Sequence, residues 1–404
     1  MKLVVSNNMK AKYIKLGDFA ALCTWLVSSV VMAISSLIFF GQDFRGYFAA
    51  ARVLIIGGNP YDYKQLVPIL LEVTGYVGNN PYYYPPWFAW FITPLTWLPF
   101  NIARVFWMLF NFAIWVVGLC LLSKLLNWPD TGWRRWLMYL FATFLFALIT
   151  WRYEQTGIIL FTLLVATLTT IHKKKWVWAG LWLSLLLIKP NITFILVVAI
   201  IVWLIRRGHW QPFITMCLVL ASLLFVSTIA TPDWYRPLFE TGFRNGLGYV
   251  LDGPNNIVAV RINTTLMDWL TMFGINRTVC VVINIIASVI GGISIVWGII
   301  KSKSLLKVVI LSLLVTFAVI PYILQYDFPL LTLPLFWGLA LLSYTRKTLW
   351  GGMVICGFIA SVLVWERPIS DGYWIVIGLI ILTVWSWTLS TSQSIPEDLL
   401  LTKT

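Results

Sequence analysis

The sequence predicts an all-α polytopic membrane protein with about twelve transmembrane helices. Its 404 residues are 60% hydrophobic and only 11% charged, and the mean hydropathy is +0.86. Soluble domains carry about 25% charged residues, so lipid must solvate much of this apolar surface. The other two observations behind the prediction are a series of apolar runs bounded by charges and the uneven distribution of those charges.

Twelve apolar runs have the length, or nearly the length, of a membrane span, which needs about 20 residues. Their bounds are 17–40, 103–122, 134–150, 156–172, 176–188, 191–205, 209–230, 278–300, 305–323, 328–344, 349–365 and 373–390. The runs 176–188 and 191–205 are short, and Lys189-Pro190 separates them. One kinked helix across both is the alternative, and it would put the basic clusters at 173–175 and 206–207 on opposite sides.

The distribution of charged residues indicates the topology. When successive loops are assigned to alternate sides with the N-terminus in the cytoplasm, the formal net charge of +14 falls entirely on the cytoplasmic side. Cytoplasmic loops of membrane proteins carry an excess of lysine and arginine. We therefore predict a multi-pass protein of the cell (plasma) membrane with both termini cytoplasmic, including a tail at 391–404. The basic excess then faces membrane lipids, and no nucleic acid is expected as a partner.

Two extracytoplasmic loops are long. The first, 41–102, contains apolar pieces that are too short or too often interrupted by proline to span, and we expect interfacial helices there. The second covers 231–277. The sequence contains no convincing internal repeat and no separate soluble domain, so residues 1–404 are predicted to form one transmembrane domain.

Asp43 is the first candidate for catalysis, because it follows the first span by three residues and stands close to Arg45. A carboxylate at the membrane interface can act as a general base. The alternative is an ion pair flanking a helix end. The two histidines adjoin basic clusters on the other face, so proton transfer on this face must use carboxylates or tyrosine.

Further polar residues fall on the same predicted face. Arg152, Glu154 and Gln155 lie between two spans, where they can bind phosphate or sugar oxygens, or form an ordinary polar turn. Lys189 follows a short apolar run, so its ammonium is expected below the interface. A charge at that depth costs about 2.5–3.5 kcal/mol and needs a partner, such as phosphate. Snorkelling to the headgroups is the alternative.

A polar break that contains Gln325 and Asp327 separates two later spans. Asp327 can orient a substrate hydroxyl or a basic side chain, or it can cap the following helix. Arg104 and Asn263 are weaker polar candidates on the same face.

Several classes of chemistry lack support in the sequence. The chain contains no nucleotide-phosphate loop, no H-E-x-x-H and no G-x-S-x-G, and a D-x-D-like pair is missing near the first loop. Its five cysteines show no metal spacing. We therefore predict neither a metal nor a cofactor. Because nucleotide-linked sugars are cytoplasmic, an outward-facing site requires a donor anchored in the lipid.

In their order along the chain, these residues resemble those of the GT-C membrane glycosyltransferases, and most closely glycosyltransferase family 87. That family includes polyprenol-phosphate-mannose mannosyltransferases of glycolipid synthesis. The matching motifs, which extend from residue 41 to about 335, are Asp43-Phe44 with Gly58-Asn59-Pro60-Tyr61, Tyr84-Pro85-Pro86 followed by Arg104, Lys189-Pro190, and Tyr326-Asp327. The family usually has Gly-Gln where this chain has Glu154-Gln155, and often a histidine near the last motif, so acceptor recognition is expected to differ.

The resemblance implies a GT-C fold and transfer of a sugar from a polyprenyl-phosphate donor to a lipid or glycan acceptor. It implies that Asp43 is the catalytic base and that Lys189, with Arg104, holds the donor phosphate. Arg152 is a further phosphate candidate. The expected substrate-binding residues are Arg45, Tyr84, Glu154, Gln155, Asn263, Gln325 and Asp327. A single displacement of this kind inverts the anomeric configuration.

Two other functions are alternatives: a transporter or flippase of lipid-linked sugars, and a non-catalytic scaffold or polymer ligase component. Transporters usually show repeated halves and paired broken helices. This chain has one break, near Lys189, and a long first outer loop, which favours the enzyme.

Overall fold

The computed structural model describes residues 43–75, 82–128, 142–240, 264–345 and 376–384, with the isolated positions 23, 26, 27, 30, 248 and 373. Across these residues the chain is helical apart from its turns, and they contain no strand. The α-helices are α1 (Asp43–Ile55), α2 (Tyr63–Thr74), α3 (Pro86–Ile92), α4 (Phe100–Leu125), α5 (Leu148–Arg152), α6 (Gly157–His172), α7 (Trp176–Leu186), α8 (Pro190–Arg206), α9 (Gln211–Ala230), α10 (Leu266–Met272), α11 (Arg277–Lys301), α12 (Leu305–Val319) and α13 (Thr332–Thr345). A π-helical turn (Thr143–Ala147) precedes α5, and 3-10 segments (Thr93–Trp97 and Gln325–Leu331) follow α3 and precede α13.

The all-α membrane architecture is confirmed, but the count of twelve spans is not. Within the described part of the chain, three helices are long and apolar enough to cross a membrane: α4, α9 and α11. Four shorter apolar helices accompany them, namely α6, α7, α8 and α12. The predicted span 349–365, all but four positions of 17–40, and parts of 134–150 and 373–390 lie outside the described residues.

The polar break at Lys189-Pro190 separates two helices, so the kinked-helix alternative is wrong. Helix α7 ends at Leu186, and Pro190 opens α8 at a position where its missing N–H costs nothing. The Trp176 ring at the start of α7 stacks on His209 just beyond α8, with ring centroids 4.3 Å apart. The two helices therefore form a hairpin, with Lys189 at its turn and the basic clusters 173–175 and 206–207 together at the opposite end.

The short helices predicted in the first outer loop are present. Asp62 caps α2 by accepting a hydrogen bond from the Lys64 backbone N–H, and Gly75 ends this helix in the left-handed region at φ 64°. Helix α1 differs from the expected interfacial helix, because neighbouring elements bury ten of its residues. An alanine run and three aromatic side chains let it pack closely on all sides.

Two apolar cores meet where the first-loop helices touch the longer ones. The larger core joins α4, α6, α7, α8, α12 and α13. The smaller core is built on α1, α2 and α3, and it includes Ile159 of α6 and Ile188 of the α7–α8 turn. Helix α1 is thereby held against the start of α6 and the turn that carries Lys189, and this junction holds the polar residues described next.

Candidate active site

The Asp43 carboxylate lies at the junction of the two cores, in the first turn of α1. An acidic side chain at this position is stabilised by the helix dipole. Its Oδ2 accepts a short hydrogen bond from Nε2 of Gln155, a residue 112 positions further along the chain. The long-range contact fixes the start of α1 against the turn between α5 and α6.

Two tyrosines determine which way the Gln155 amide faces. The Tyr84 hydroxyl donates to Gln155 Oε1 at 2.8 Å, and the Tyr47 hydroxyl lies 3.1 Å from the same oxygen. An amide oxygen held by hydroxyl donors leaves the NH₂ group for a carboxylate. Gln155 therefore presents a donor to Asp43, and this hydrogen bond holds the carboxylate in position.

A buried ion pair of Arg104 and Glu154 lies beside this network. The Arg104 Nε donates to Glu154 Oε1, and both side chains are almost wholly inaccessible to water. The Trp107 indole, one turn along α4, donates to the Glu154 carbonyl oxygen at 3.0 Å. Burial raises the pKa of Glu154 to about 7, although Arg104 opposes the shift. This carboxyl group is therefore poised to exchange its proton near neutral pH.

The backbone at Glu154 adopts the left-handed conformation that usually favours glycine. Its φ is 57°, and the Gln155 N–H bonds to Thr150 O while the Glu154 N–H bonds to Trp151 O. This is the pattern with which glycine ends many helices, so α5 stops here and the chain turns into α6. A non-glycine residue costs roughly 1–2 kcal/mol in this region, and Glu154 carries that strain in addition to a buried charge.

A second buried ion pair joins Lys189 to Asp327. The ammonium donates to Asp327 Oδ1 at 2.6 Å, and its nitrogen lies 4.7 Å from the centre of the Tyr326 ring. Burial alone lowers the pKa of Lys189, but the Asp327 carboxylate outweighs it and raises the pKa above its ordinary value. The lysine is therefore fully charged at neutral pH, although it is buried.

The two ion pairs and Asp43 belong to one cluster. Burial is the main cause of the raised pKa of the Tyr84 hydroxyl. Lys189 lowers this pKa, and Asp43 raises it further. Asp43 and Arg45 also act on the pKa of Glu154. All of these groups lie within electrostatic reach of one another, at the end of the α7–α8 hairpin opposite its basic clusters.

The 3-10 segment that carries Asp327 is held against the turn between α5 and α6. The Thr150 hydroxyl donates to Tyr326 O at 2.8 Å. Gly157, at the start of α6, faces the same carbonyl so closely that a Cβ atom would collide with it. This close approach brings the Lys189–Asp327 pair next to Gln155.

The structure therefore collects most of the residues singled out in the sequence. Arg45 and Gln325 are buried in the same region, and Gln325 Nε2 has no hydrogen-bond partner among the described residues. Arg152 is exposed at the end of α5, unlike Arg104 and Lys189. Asn263 lies outside the described residues.

Sequence reasoning missed Tyr47, which contacts both Gln155 and Tyr84. It stands four residues after Asp43 and therefore on the same face of α1, a spacing that could have suggested the role. Trp107 was missed too, three residues after Arg104 on α4, where it shares a face with the arginine.

Comparison with protein families decides the class of protein. A family model described as Glycosyltransferase family 87 matches residues 82–322, which is more than half of the chain. The chain belongs to glycosyltransferase family 87. Comparison with curated proteins gives no match, and neither does comparison with solved structures.

Membership confirms the resemblance and identifies a membrane glycosyltransferase. It therefore decides in favour of the enzyme over the transporter and the scaffold. The matched range includes Tyr84, Arg104, Gln155 and Lys189. Asp43 and Asp327 lie outside it, and they join the site through the contacts to Gln155 and Lys189.

Proposed function

We propose that this family 87 glycosyltransferase moves a sugar from a polyprenyl-phosphate donor to a lipid or glycan acceptor at the extracytoplasmic face of the cell membrane. The observation that carries the proposal is the arrangement of Asp43, Arg104 and Lys189 in one cluster at a single end of the helices. A general base can activate the acceptor hydroxyl, and two buried cations can stabilise the phosphate leaving group.

The reaction follows from the chemistry of these groups. The acceptor hydroxyl oxygen attacks the anomeric carbon while the bond from that carbon to the donor phosphate oxygen breaks. Asp43 takes the hydroxyl proton, and Gln155 holds the carboxylate in position. General-base assistance of this kind contributes about 10²–10⁴ in rate. The displacement inverts the anomeric centre.

Lys189 and Arg104 act on the departing phosphate. A positive charge that is already fixed in a water-poor site stabilises the negative charge growing on the phosphate oxygen without reorganisation. Arg104 supplies a planar fork suited to two phosphate oxygens, and Lys189 supplies a point charge. Because the leaving group arrives as a phosphate and is stabilised by these cations, the proposal requires no metal ion and no cofactor.

The remaining cluster residues are proposed to bind the sugar or the acceptor. Tyr84 and Gln325 provide polar atoms in the buried region, and the Gln325 Nε2 atom has no partner among the described residues. A site with such a donor favours a substrate that can accept from it, because an unpaired buried donor costs about 1–3 kcal/mol.

The proposed face of the membrane rests on charge. The basic residues 173–175 and 206–207 lie at the end of the hairpin opposite Lys189. Arg206 and Arg207 contact the backbone at Ile299 and Ser302, near Lys301, so basic residues of several helices share that end. If this end is cytoplasmic, as the positive-inside pattern requires, the cluster around Asp43 opens on the other side.

The donor class is tested with purified protein in liposomes. Radiolabelled sugars are offered either as short-chain polyprenyl phosphates or as the corresponding nucleotide sugars, with a lipid extract as acceptor. We expect label in the lipid product only from polyprenyl-phosphate donors. Transfer from a nucleotide sugar would overturn the donor assignment, and retention of anomeric configuration in the product, read by NMR, would overturn the single displacement.

A further inference from the structure

Above pH 7, where Glu154 is ionised, the charges of the site are balanced before any substrate binds. Among the described residues, the cluster holds the cations Arg45, Arg104 and Lys189 and the carboxylates of Asp43, Glu154 and Asp327. A donor phosphodiester adds one negative charge to this set. In a site with little water, an uncompensated charge is costly, so anion binding requires that one carboxylate lose its charge.

Three observations single out Glu154 as that carboxylate. Its Oε2 is buried and has no hydrogen-bond partner among the described residues, so a proton can be added there without breaking a bond. Its other oxygen is bound by Arg104, one of the two cations proposed to hold the phosphate. Its backbone is strained at φ 57°, and strain retained in a buried site points to function.

The other two carboxylates already accept hydrogen bonds that a proton would weaken. Asp43 accepts a hydrogen bond from the amide of Gln155, whose orientation the tyrosine hydroxyls fix. Asp327 is paired with a lysine that stays charged, and it also accepts from the Leu324 backbone N–H at 3.4 Å. Burial raises the pKa of Asp327, but the Lys189 ammonium and the Leu324 backbone N–H oppose that shift.

Charged groups from two elements act on Glu154. Arg104 of α4 contacts it directly, and Asp43 and Arg45 of α1 act on it through space. Burial is the largest influence and raises its pKa, Asp43 raises it further, and the two arginines lower it. When Arg104 turns to a phosphate, the carboxylate loses its main stabilising partner and a proton becomes necessary.

We infer that Glu154 is a positioning residue that holds Arg104 in the empty enzyme and takes up one proton when the donor phosphate binds. The inference rests on the proposed function, because it assumes that Arg104 receives the phosphate. Donor affinity then falls as the pH rises above 7, by at most about tenfold per pH unit for one linked proton. At low pH, where Glu154 is already protonated, binding requires no proton and affinity becomes independent of pH.

The test uses a probe whose own charge does not change. Citronellyl methyl phosphodiester carries one negative charge from pH 5 to 9, whereas a phosphate monoester titrates near pH 6. Binding of the phosphodiester to the full-length protein in detergent is measured by titration calorimetry at pH 6 and pH 8. Each titration is repeated in two buffers that differ in their heat of ionisation. The buffer dependence of the binding heat gives the number of protons taken up.

The comparison includes Glu154→Gln, Glu154→Gly and a matched control, Glu72→Gln. Glycine adopts the left-handed conformation at 154 without strain, so this variant keeps the test available if the glutamine variant does not fold. Glu72 forms an exposed ion pair with Arg52 at 3.0 Å, so its change has the same chemistry away from the site. We expect close to one proton taken up at pH 8 by the normal protein and by Glu72→Gln, and none by the two Glu154 variants.

The possible results distinguish a failure of the role of Glu154 from a failure of the proposed function. Binding at pH 8 without proton uptake in the normal protein, or uptake that persists in a Glu154 variant, overturns the role of Glu154 and leaves the donor assignment intact. A probe that does not bind, or that binds equally well after Lys189→Met, overturns both the proposed function and the inference.

Discussion

Lys189 and Asp327 form a buried ion pair, with Nζ and Oδ1 2.6 Å apart, between the α7–α8 turn and a 3-10 segment 138 positions further along the chain. Buried pairs often stabilise a fold no more than apolar side chains of similar volume. The pair keeps a charged ammonium in a region from which water is largely excluded, and its proposed role is substrate binding.

Substitutions in the Lys189–Asp327 pair are predicted to affect the stability of the protein and its donor binding differently. Lys189→Met leaves Asp327 buried without its cation, which costs about 3–5 kcal/mol, so the thermal unfolding midpoint in detergent falls. Lys189→Met combined with Asp327→Asn removes both charges and recovers most of that loss, yet donor binding stays absent. A double variant that binds the phosphodiester as well as the normal protein does would show that Lys189 is not a phosphate ligand.

Gln155→Glu is predicted to slow transfer by placing a second carboxylate against Asp43. Like charges at this distance favour protonation of one of them, so the base is ionised only at higher pH. The rising limb of the pH–rate profile of transfer should therefore move to higher pH, and the rate at pH 7 should fall roughly tenfold for each pH unit that the limb moves. An unchanged profile would mean that Gln155 does not contact the base during the reaction.

Gly157→Ala is predicted to displace Asp327, although Gly157 itself is not proposed to bind substrate. The added Cβ would meet the Tyr326 carbonyl oxygen, so the 3-10 segment with Asp327 must move away from α6. Overpacking of this kind costs about 1–3 kcal/mol. We expect a lower unfolding midpoint and weaker donor binding. Gly292→Ala is a suitable control, because nothing lies within 4 Å of its added Cβ. If Gly157→Ala leaves both properties unchanged, the contact does not position Asp327.

Stability should depend on pH through Glu154. Folding raises its pKa from 4.5 to about 7, so the folded state binds the proton more tightly than the unfolded state does. The stabilisation from that proton is complete below pH 4.5 and is lost as the pH rises through 7, by on the order of 3 kcal/mol. Between pH 5 and 8 the unfolding midpoint of the normal protein should therefore fall relative to Glu154→Gln. Parallel curves for the two proteins would contradict the raised pKa.

The sequence predicted the helical class and the need of a buried Lys189 for a partner, both for clear physical reasons. Apolar runs of this length and number are not expected in a soluble protein, and a lysine within an apolar region needs a partner. The break at Pro190 was visible too. Two separate spans with the basic clusters 173–175 and 206–207 on one side were the preferred prediction, and the hairpin confirms it. The stacking of Trp176 on His209 could not be predicted from a local pattern.

The partners within the site were beyond the reach of sequence reasoning. Gln155 was singled out as a polar candidate, yet its bond to Asp43 spans 112 positions and depends on how α1 packs. Asp327 was assigned to a substrate hydroxyl, a basic side chain or a helix cap. The structure pairs it with Lys189 and has it accept from the Leu324 backbone N–H, and substrate binding stays a prediction. Glu154 was expected to bind substrate, which stays a prediction, and its contacts with Arg104 and Trp107 were not foreseen. Its left-handed backbone is rare for glutamate, and the one signal for it was the glycine that the resembled family usually has at this position.

Asp43→Asn tests the central claim most directly, when donor binding and sugar transfer are measured on the same preparation. The control is Asp233→Asn, an exposed position whose left-handed backbone (φ 59°) asparagine tolerates. If Asp43 is the base, its variant binds the phosphodiester at least as tightly as the normal protein but transfers sugar about 10²–10⁴ times more slowly, while the control is unaffected. Normal transfer by folded Asp43→Asn would contradict the account.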